Sequence, residues 1–491
     1  MKLYLIGIGG TGARVIKSLI MLLATGMDIK AKTIVPIIID PHKSNEDRMR
    51  TDRLLETYKE LRNHLNQPAS GFLKTEVVGL SDLDGMDPNM DPGFYYDFFD
   101  GDNKDQDFRN FIDFEGLNSV SPELRDLMLG LFDMESMSNP LTVGFKGNPN
   151  LGSVVLNQLA NFPLLKSIGK SFSKGDRIFI ISSIFGGTGA AGFPVLLRNL
   201  RRPNAGFDEK QLMYTSPIGA LTVMPYFGLT DNESSDIDSN SFVTKTITAL
   251  RYYKKYLTDD LNALYYIGDG VDPVIIPTDE ENQRNQAHFV ELVGALSVVN
   301  FCSNNYSEKT ESAFYQYAFN AYREEVLALT FKHLPENTKG LIGPALVKFS
   351  LFRKFISEYL PTARASKKAW FSIFQDSAPA ELLDKSLPLN VALDKLLSIY
   401  GEWMSELRHE QKENRTKYFG PVNHNGHWQD VVVDKPYELT DDDWDVFLNK
   451  QTLAHKNSDG NSMLKFIQEL QQVIDQLYAE KIQNLNVAQT K

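Results

Sequence analysis

Apolar positions along the first 300 residues alternate between two rhythms. Residues 2–6 form a short β-prone run, and 33–39 form a nearly unbroken apolar one, as a strand buried on both faces requires. Between them Val15, Ile16, Leu19, Ile20 and Leu23 recur at helical spacing. The alternation resumes near residue 141. It predicts a helix over 152–168, a buried strand over 177–183, a helix from 193 and a strand over 220–224. Beyond these it predicts a helix over 241–256, a strand over 263–267 and a long apolar helix over 286–301. Strands and helices in this order predict an α/β fold, a parallel sheet with helices on both faces.

Past about residue 310 the strand signal fades. Residues 313–331, 344–359, 391–413 and 463–479 carry helical periodicity, and Leu464, Ile467, Leu470, Ile474 and Leu477 share one face. The chain therefore divides into an α/β region over 1–310 and a mainly helical C-terminal region over 311–491. Residues 44–140 interrupt the first region as an insertion. It opens with a charged helical segment over 46–66 and passes into an acidic, aromatic stretch.

Composition narrows the function classes. The chain has 491 residues, 42% of them hydrophobic and 23% charged, which is enough apolar material for a large core. Its net charge is −12, and residues 82–115 hold ten aspartates and one glutamate against two basic residues. With no basic stripe to neutralise phosphates, neither nucleic acid nor an anionic membrane is an expected partner. A single cysteine, Cys302, allows no internal disulfide and is expected to pack as a small hydrophobe. The apolar start is too short for a signal peptide, and no run of about 18 apolar residues suggests a membrane span. A cytoplasmic location is the expectation.

The candidate chemistry lies in glycine loops. Gly7-Ile8-Gly9-Gly10-Thr11-Gly12 matches G-x-G-x-x-G between a strand and a helix. Glycines there let the backbone turn tightly and approach a phosphate, while the helix N-terminus offers free N–H groups. Alone, this loop fits a dinucleotide-binding unit, with Asp40 closing the second strand where such a unit keeps its ribose-binding acid. Two further loops change the reading: Gly144-Phe-Lys-Gly147-Asn148-Pro149-Asn-Leu-Gly152, and Phe185-Gly186-Gly187-Thr188-Gly189-Ala190-Ala191-Gly192. A dinucleotide site has no need of them, whereas a site enclosing a triphosphate does.

In the order of these motifs the chain resembles the tubulin/FtsZ superfamily. The likeness covers roughly 1–43 and 141–302, and its most specific part is the loop at 186–191, similar to the family's G-G-T-G-[ST]-G signature. It implies a tubulin-like, Rossmann-type sheet that binds GTP or GDP, with Mg2+ as the expected metal. Carried over, Gly9, Gly10, Thr11 and Gly12 would contact the phosphates, and Asp40 would lie near the nucleotide or its metal. Gly147, Asn148 and Pro149 would line the γ-phosphate side, and Gly186, Gly187, Thr188 and Gly189 would cradle the phosphates. Pro225-Tyr226-Phe227 would approach the ribose, and Asp269 or Asn285 would read the base. Self-association is the implied behaviour.

The likeness has two departures. Ala191 stands where the signature ends in glycine. The family's acidic loop, which enters a neighbouring subunit's site, corresponds here to residues 301–311 and contains no aspartate. Glu308 and Glu311 are its only carboxylates, so GTP hydrolysis stays open. Protein partners docking on the acidic insertion or the helical C-terminal region, in a non-polymerising nucleotide-sensing module, are the alternative.

Other clusters read as ordinary structure. His424 and His427 suit a solvated turn better than a metal site. The aspartates from Asp100 to Asp107 lack the glycine and closing glutamate of a calcium loop. His288 is expected to be a buried, hydrogen-bonded histidine.

Overall fold

The apolar runs become the strands of one sheet. In the computed structural model the described residues are 1–42, 44–65, 71–83, 93–96, 106–145, 148–157, 163–201, 211–229, 239–268, 274–276, 284–306, 312–317, 334–373, 381–407, 440–454 and 462–483. In chain order the strands are β1 (Lys2–Ile8), β2 (Thr33–Ile39), β3 (Glu76–Val77), β4 (Tyr95–Tyr96), β5 (Arg177–Ser183), β6 (Ile218–Val223), β7 (Phe227–Leu229), β8 (Ala263–Ile267), β9 (Val274–Ile276) and β10 (Ala313–Tyr317). Eight of them form one sheet in the order β10-β8-β6-β5-β1-β2-β3, with β4 also on β2; β7 and β9 pair separately. Every pairing is parallel. Burial on both faces explains the lack of polar alternation: in β1, β2 and β5 every residue after the first is buried, and all of β6 is.

The helices that cover the sheet and frame its loops are α1 (Gly9–Ala24), α2 (Glu46–His64), α3 (Pro149–Leu156), α4 (Pro163–Ser171), α5 (Gly187–Arg201), α6 (Ser239–Tyr256) and α7 (Phe289–Ser303). The C-terminal region adds α8 (Glu336–Lys354), α9 (Pro388–Glu406), α10 (Asp441–Ala454) and α11 (Ser462–Leu477). Helix α1 packs against α2 and α7. At the α1–α7 contact Gly294 admits Val15 and Leu221, whose side chains would lie 3.2 and 2.9 Å from a Cβ there. On the other face Phe193 of α5 meets Tyr253 of α6 edge to face. The sheet is thus covered on both sides.

Beyond β10, every described element of the C-terminal region is a helix, and the region leans on the α1–α2 side. Helix α9 packs along α2, and Phe349 and Phe352 of α8 close on Phe72. Its own core gathers Phe355, Trp370, Trp444 and Phe466. In α11 the expected apolar face is buried at Ile467, Leu470, Ile474 and Leu477.

Three expectations are corrected. The helix over 152–168 is two helices, with Pro163, which has no N–H to donate, opening the second. The helix expected from 313 gives way to β10. Its aromatic run suits a pleated surface, and Tyr315 stacks on Tyr265 of β8 with centroids 4.6 Å apart. The sheet therefore takes in residues beyond 310. Finally, α5 begins at Gly187 and not near 193, so the signature glycines form the first helical turn.

Candidate functional site

The strand order has one reversal. From β1 the chain moves outward to β2 and β3, then crosses back to β5 and moves outward on the other side through β6 and β8. In open α/β sheets ligands bind beyond the carboxyl ends of the strands at such a switch point. The loops after β1 and β5 are two of the glycine loops.

Gly9 has φ +73°, a left-handed conformation that favours glycine, and begins α1 directly after β1. No side chain caps α1, and its first turn has no acidic residue, so its N–H groups are open to an anion. Gly12 is required for packing: a Cβ there would stand 2.7 Å from the Gly7 carbonyl carbon and 3.0 Å from Ile181 O. Gly189 presses equally hard on the end of β5, 2.8 Å from Ser183 N and O. The two loops face each other, since a Cβ on Gly9 would lie 3.6 Å from Thr188 Cβ and 3.8 Å from Gly189 N. Gly10, Thr11, Gly186 and Thr188 are half-buried at this edge.

The third loop joins from the side. Asn148 caps α3, its Oδ1 accepting from Leu151 N–H at 3.3 Å, and Pro149 takes the first helical position. A Cβ on Gly152 would lie 3.1 Å from Gly187 O and 2.9 Å from Ala191 Cβ, so α3 docks on the first turn of α5. Ala191 is part of this contact, which accounts for a small residue where the signature has glycine. Gly147 lies outside the described residues, as do Asp269, Glu308, Glu311, His424, His427 and the aspartates from Asp100 to Asp105.

Asp40 comes directly after β2 and is buried. Its oxygens accept from His42 N–H (3.1 Å) and Asn45 Nδ2 (3.2 Å). Burial pushes its carboxyl up to about 7, against the pull of the His42 N–H and Arg48. Asn45 also caps α2 and stands 3.0 Å from where a Cβ on Gly10 would be. Asp40 thus reaches the first loop through Asn45, a residue that no sequence motif marks.

A buried charge network lies beside the cradle. Arg14, one turn into α1, pairs with Glu291 of α7, lies 3.8 Å from Asp47 of α2 and donates to Gln286 O at 2.8 Å. Burial disfavours its charge, but Glu291, Tyr226 and Asp47 outweigh this and raise its pKa. Asn285 sits here and donates its backbone N–H and one Nδ2 hydrogen to Asp47 at 2.8 and 2.6 Å. Tyr226, expected near the ribose, is fully buried with its hydroxyl donating to Glu291 at 3.0 Å. His288 caps α7, its Nδ1 accepting from Val290 N–H. Arg14 and Lys17, two cations inside an otherwise apolar helix, were the visible signal for this network.

Helix α7 spans the sheet from this edge to the other. Its far end is tied down by Arg177, at the start of β5, which donates to Phe301 O and Asn304 O at 2.8 Å. Ser303 therefore sits about 22 Å along the helix from the cradle edge. Cys302 is buried there and its thiol is pushed up to about 12.

Among the described residues no cluster of three His, Cys, Asp or Glu could hold a metal, and no helix is long and apolar enough to cross a membrane. Among the described residues Asp40 is the carboxylate that reaches the first loop, through Asn45. Mg2+ needs no more, since it is commonly held by one or two carboxylates and the phosphates it accompanies.

No protein-family model and no curated protein sequence matches the chain. Solved structures that align with it at low identity include the following three. CetZ2 from Haloferax volcanii, a GTPγS-bound protofilament, is 12% identical with a TM-score of 0.25, over 55% of this chain and 49% of that one. CetZ1 from Haloferax volcanii, a GDP-bound monomer, is 13% identical with a TM-score of 0.29, over 63% and 62%. The TubZ-Bt two-stranded filament is 11% identical with a TM-score of 0.25, over 61% and 53%. The chain thus spans about half to three-fifths of the length of the structures it matches. The chain's own fold is a parallel sheet reversing at β1 and β5, with glycine loops opening helices on both sides of the reversal.

Proposed function

We propose that the chain binds a guanine nucleotide, with the phosphates held by the backbone of Gly9–Gly12 and Gly186–Gly189 and by the start of α3. The observation that carries this reading is the convergence of three helix N-termini, none with an acidic first turn, at the sheet's switch point. Such a place favours an extended anion, and three convergent loops suit a triphosphate better than a single pyrophosphate. Asp40 would face any Mg2+ that enters with the phosphates, and a carboxyl raised to about 7 chiefly by burial would be ionised by it. Asn285, with one side-chain N–H on Asp47, would offer a base its side-chain oxygen and its second N–H.

Self-association according to nucleotide state belongs to the same reading. The far end of α7 supports it geometrically. That end lies opposite the cradle, and Glu308 and Glu311 come after it in sequence, so a carboxylate from this segment would act in another subunit's site. A non-polymerising, partner-docking module is the second reading. It is favoured by the insertion's exposed leucines, Leu127 at 53% and Leu131 at 54%.

The test is the identity and affinity of the nucleotide bound by the purified chain among GTP, ATP and NAD, with Gly187→Trp as control. GTP binding that the tryptophan abolishes is the expected result. Preferential NAD binding, or none at all, overturns the proposal.

A further inference from the structure

Residues 285–288 form a short extended segment between the cradle helices and α9, and side chains hold its backbone. Asp47 takes the Asn285 N–H, Arg50 donates to Asn285 O at 3.1 Å, and Arg14 donates to Gln286 O at 2.8 Å. The Ala287 N–H goes to Glu406 Oε2 at 3.1 Å, and the His288 N–H to Glu291 at 3.1 Å. Four of these five side chains come from helices α1, α2 and α7. The fifth, Glu406, is the last residue of α9, in the C-terminal region.

Glu406 does more than cap one amide. Its Oε2 also accepts from Lys17 of α1 at 3.2 Å, and its Oε1 pairs with Arg50 of α2. Only 10% of its side chain is exposed, and Lys17 and Arg50 are buried to a similar degree. One carboxylate thus joins α1, α2, the 285–288 segment and α9. Beside the segment lies a cleft of about 430 Å³ lined by Arg284, Asn285, Gln286, Glu402, Ser405 and Glu406, with Arg284 bonded to Glu402 at 2.8 Å. That volume lies in the range of small-molecule sites, roughly 300–1,000 Å³.

We propose that Glu406 is a positioning residue for base recognition, fixing the 285–288 segment relative to the cradle helices and so giving the C-terminal region a part in nucleotide selectivity. The inference rests on the proposals that the cradle binds a guanine nucleotide and that the segment at Asn285 meets its base. Its ground is the division of labour at the site: the phosphate loops hold themselves through glycine packing, whereas the base-side segment depends on a side chain from another region.

The test uses the full chain and three ligands: tripolyphosphate, which probes the cradle alone, GTP and ATP. In Glu406→Gln, tripolyphosphate affinity is expected to stay within about twofold of the parent. GTP affinity should fall by about tenfold, the loss of one charged hydrogen bond, and the preference for GTP over ATP should narrow. Ser405→Ala, an exposed residue lining the same cleft, should keep the parent's selectivity. If Glu406→Gln folds poorly, Lys17→Met/Glu406→Gln removes the orphaned ammonium and carries the same expectation. Unchanged selectivity, or a parallel loss of GTP and tripolyphosphate, overturns the inference while leaving nucleotide binding by the cradle intact. A parent chain that binds none of the three overturns both.

Discussion

The two sides of the site are built on opposite principles. The glycine-loop side is made of backbone, and its geometry is set by what is missing: a Cβ on Gly12 or Gly189 would lie within 3 Å of neighbouring main-chain atoms. The segment side is made of charged side chains, Arg14, Lys17, Asp47, Arg50, Glu291 and Glu406, each no more than about a tenth exposed. A backbone site resists every change except an added side chain. A charged site is held only while each charge keeps its partner, because an orphaned ion in a poorly solvated place is far more costly than a lost hydrogen bond.

The largest effect that would test this contrast is on the charged side. Arg14→Met leaves Glu291 buried without its cation and should destabilise the fold by about 3–5 kcal/mol in urea denaturation. Arg14→Met/Glu291→Leu, which removes both charges, should recover most of that loss. A single variant within about 1 kcal/mol of the parent, on the scale of an exposed pair, would erase the distinction.

Asp40 sharpens the comparison because it is a charge on the backbone side. Its folded pKa of about 7 lies above the unfolded value of about 3.9, so between these values the folded state keeps a proton that the unfolded state has released. Its contribution is therefore complete below about pH 4 and is lost as pH rises through 7, amounting to on the order of 4 kcal/mol. Asp40→Asn should remove this slope from a plot of urea midpoint against pH. An identical slope in the variant would mean that the proton is bound elsewhere.

The smallest effect is at Asn148, a cap on the backbone side. Asn148→Ala should cost about 1 kcal/mol and Asn148→Gly only a few tenths, read from thermal unfolding. A larger loss would show that the cap does more than complete the first turn of α3.

The same contrast explains what could be read from the sequence. A glycine acts through its own backbone, so the places of the loops at 7–12, 144–152 and 186–192 could be read from the sequence, and the structure brings the described parts of all three together. The network was marked at one end only: Arg14 and Lys17 stand out in an apolar helix, but Lys17 meets Glu406 across 389 residues, and nothing around Glu406 distinguishes it from the other acidic residues of a polar helix end. Asn285 was singled out for a base, yet both its amide donations go to Asp47, a pairing that periodicity cannot show. Strand β10 was missed for another reason. A five-residue aromatic run fits either period, and what decides it is the neighbouring β8, where Tyr265 offers a ring to Tyr315.

The pairing of β1 with β5 has a kinetic consequence. Lys2 N–H donates to Asp176, 174 residues along the chain, so the centre of the sheet closes only after the whole insertion has been made. Loop-closure entropy grows with the logarithm of length, about 0.6 kcal/mol for each doubling, so shortening the insertion would change the equilibrium little. Folding rate responds more strongly to such distant contacts. Until β5 arrives, one flank of β1 lacks its partner strand and the first glycine loop has nothing opposite it.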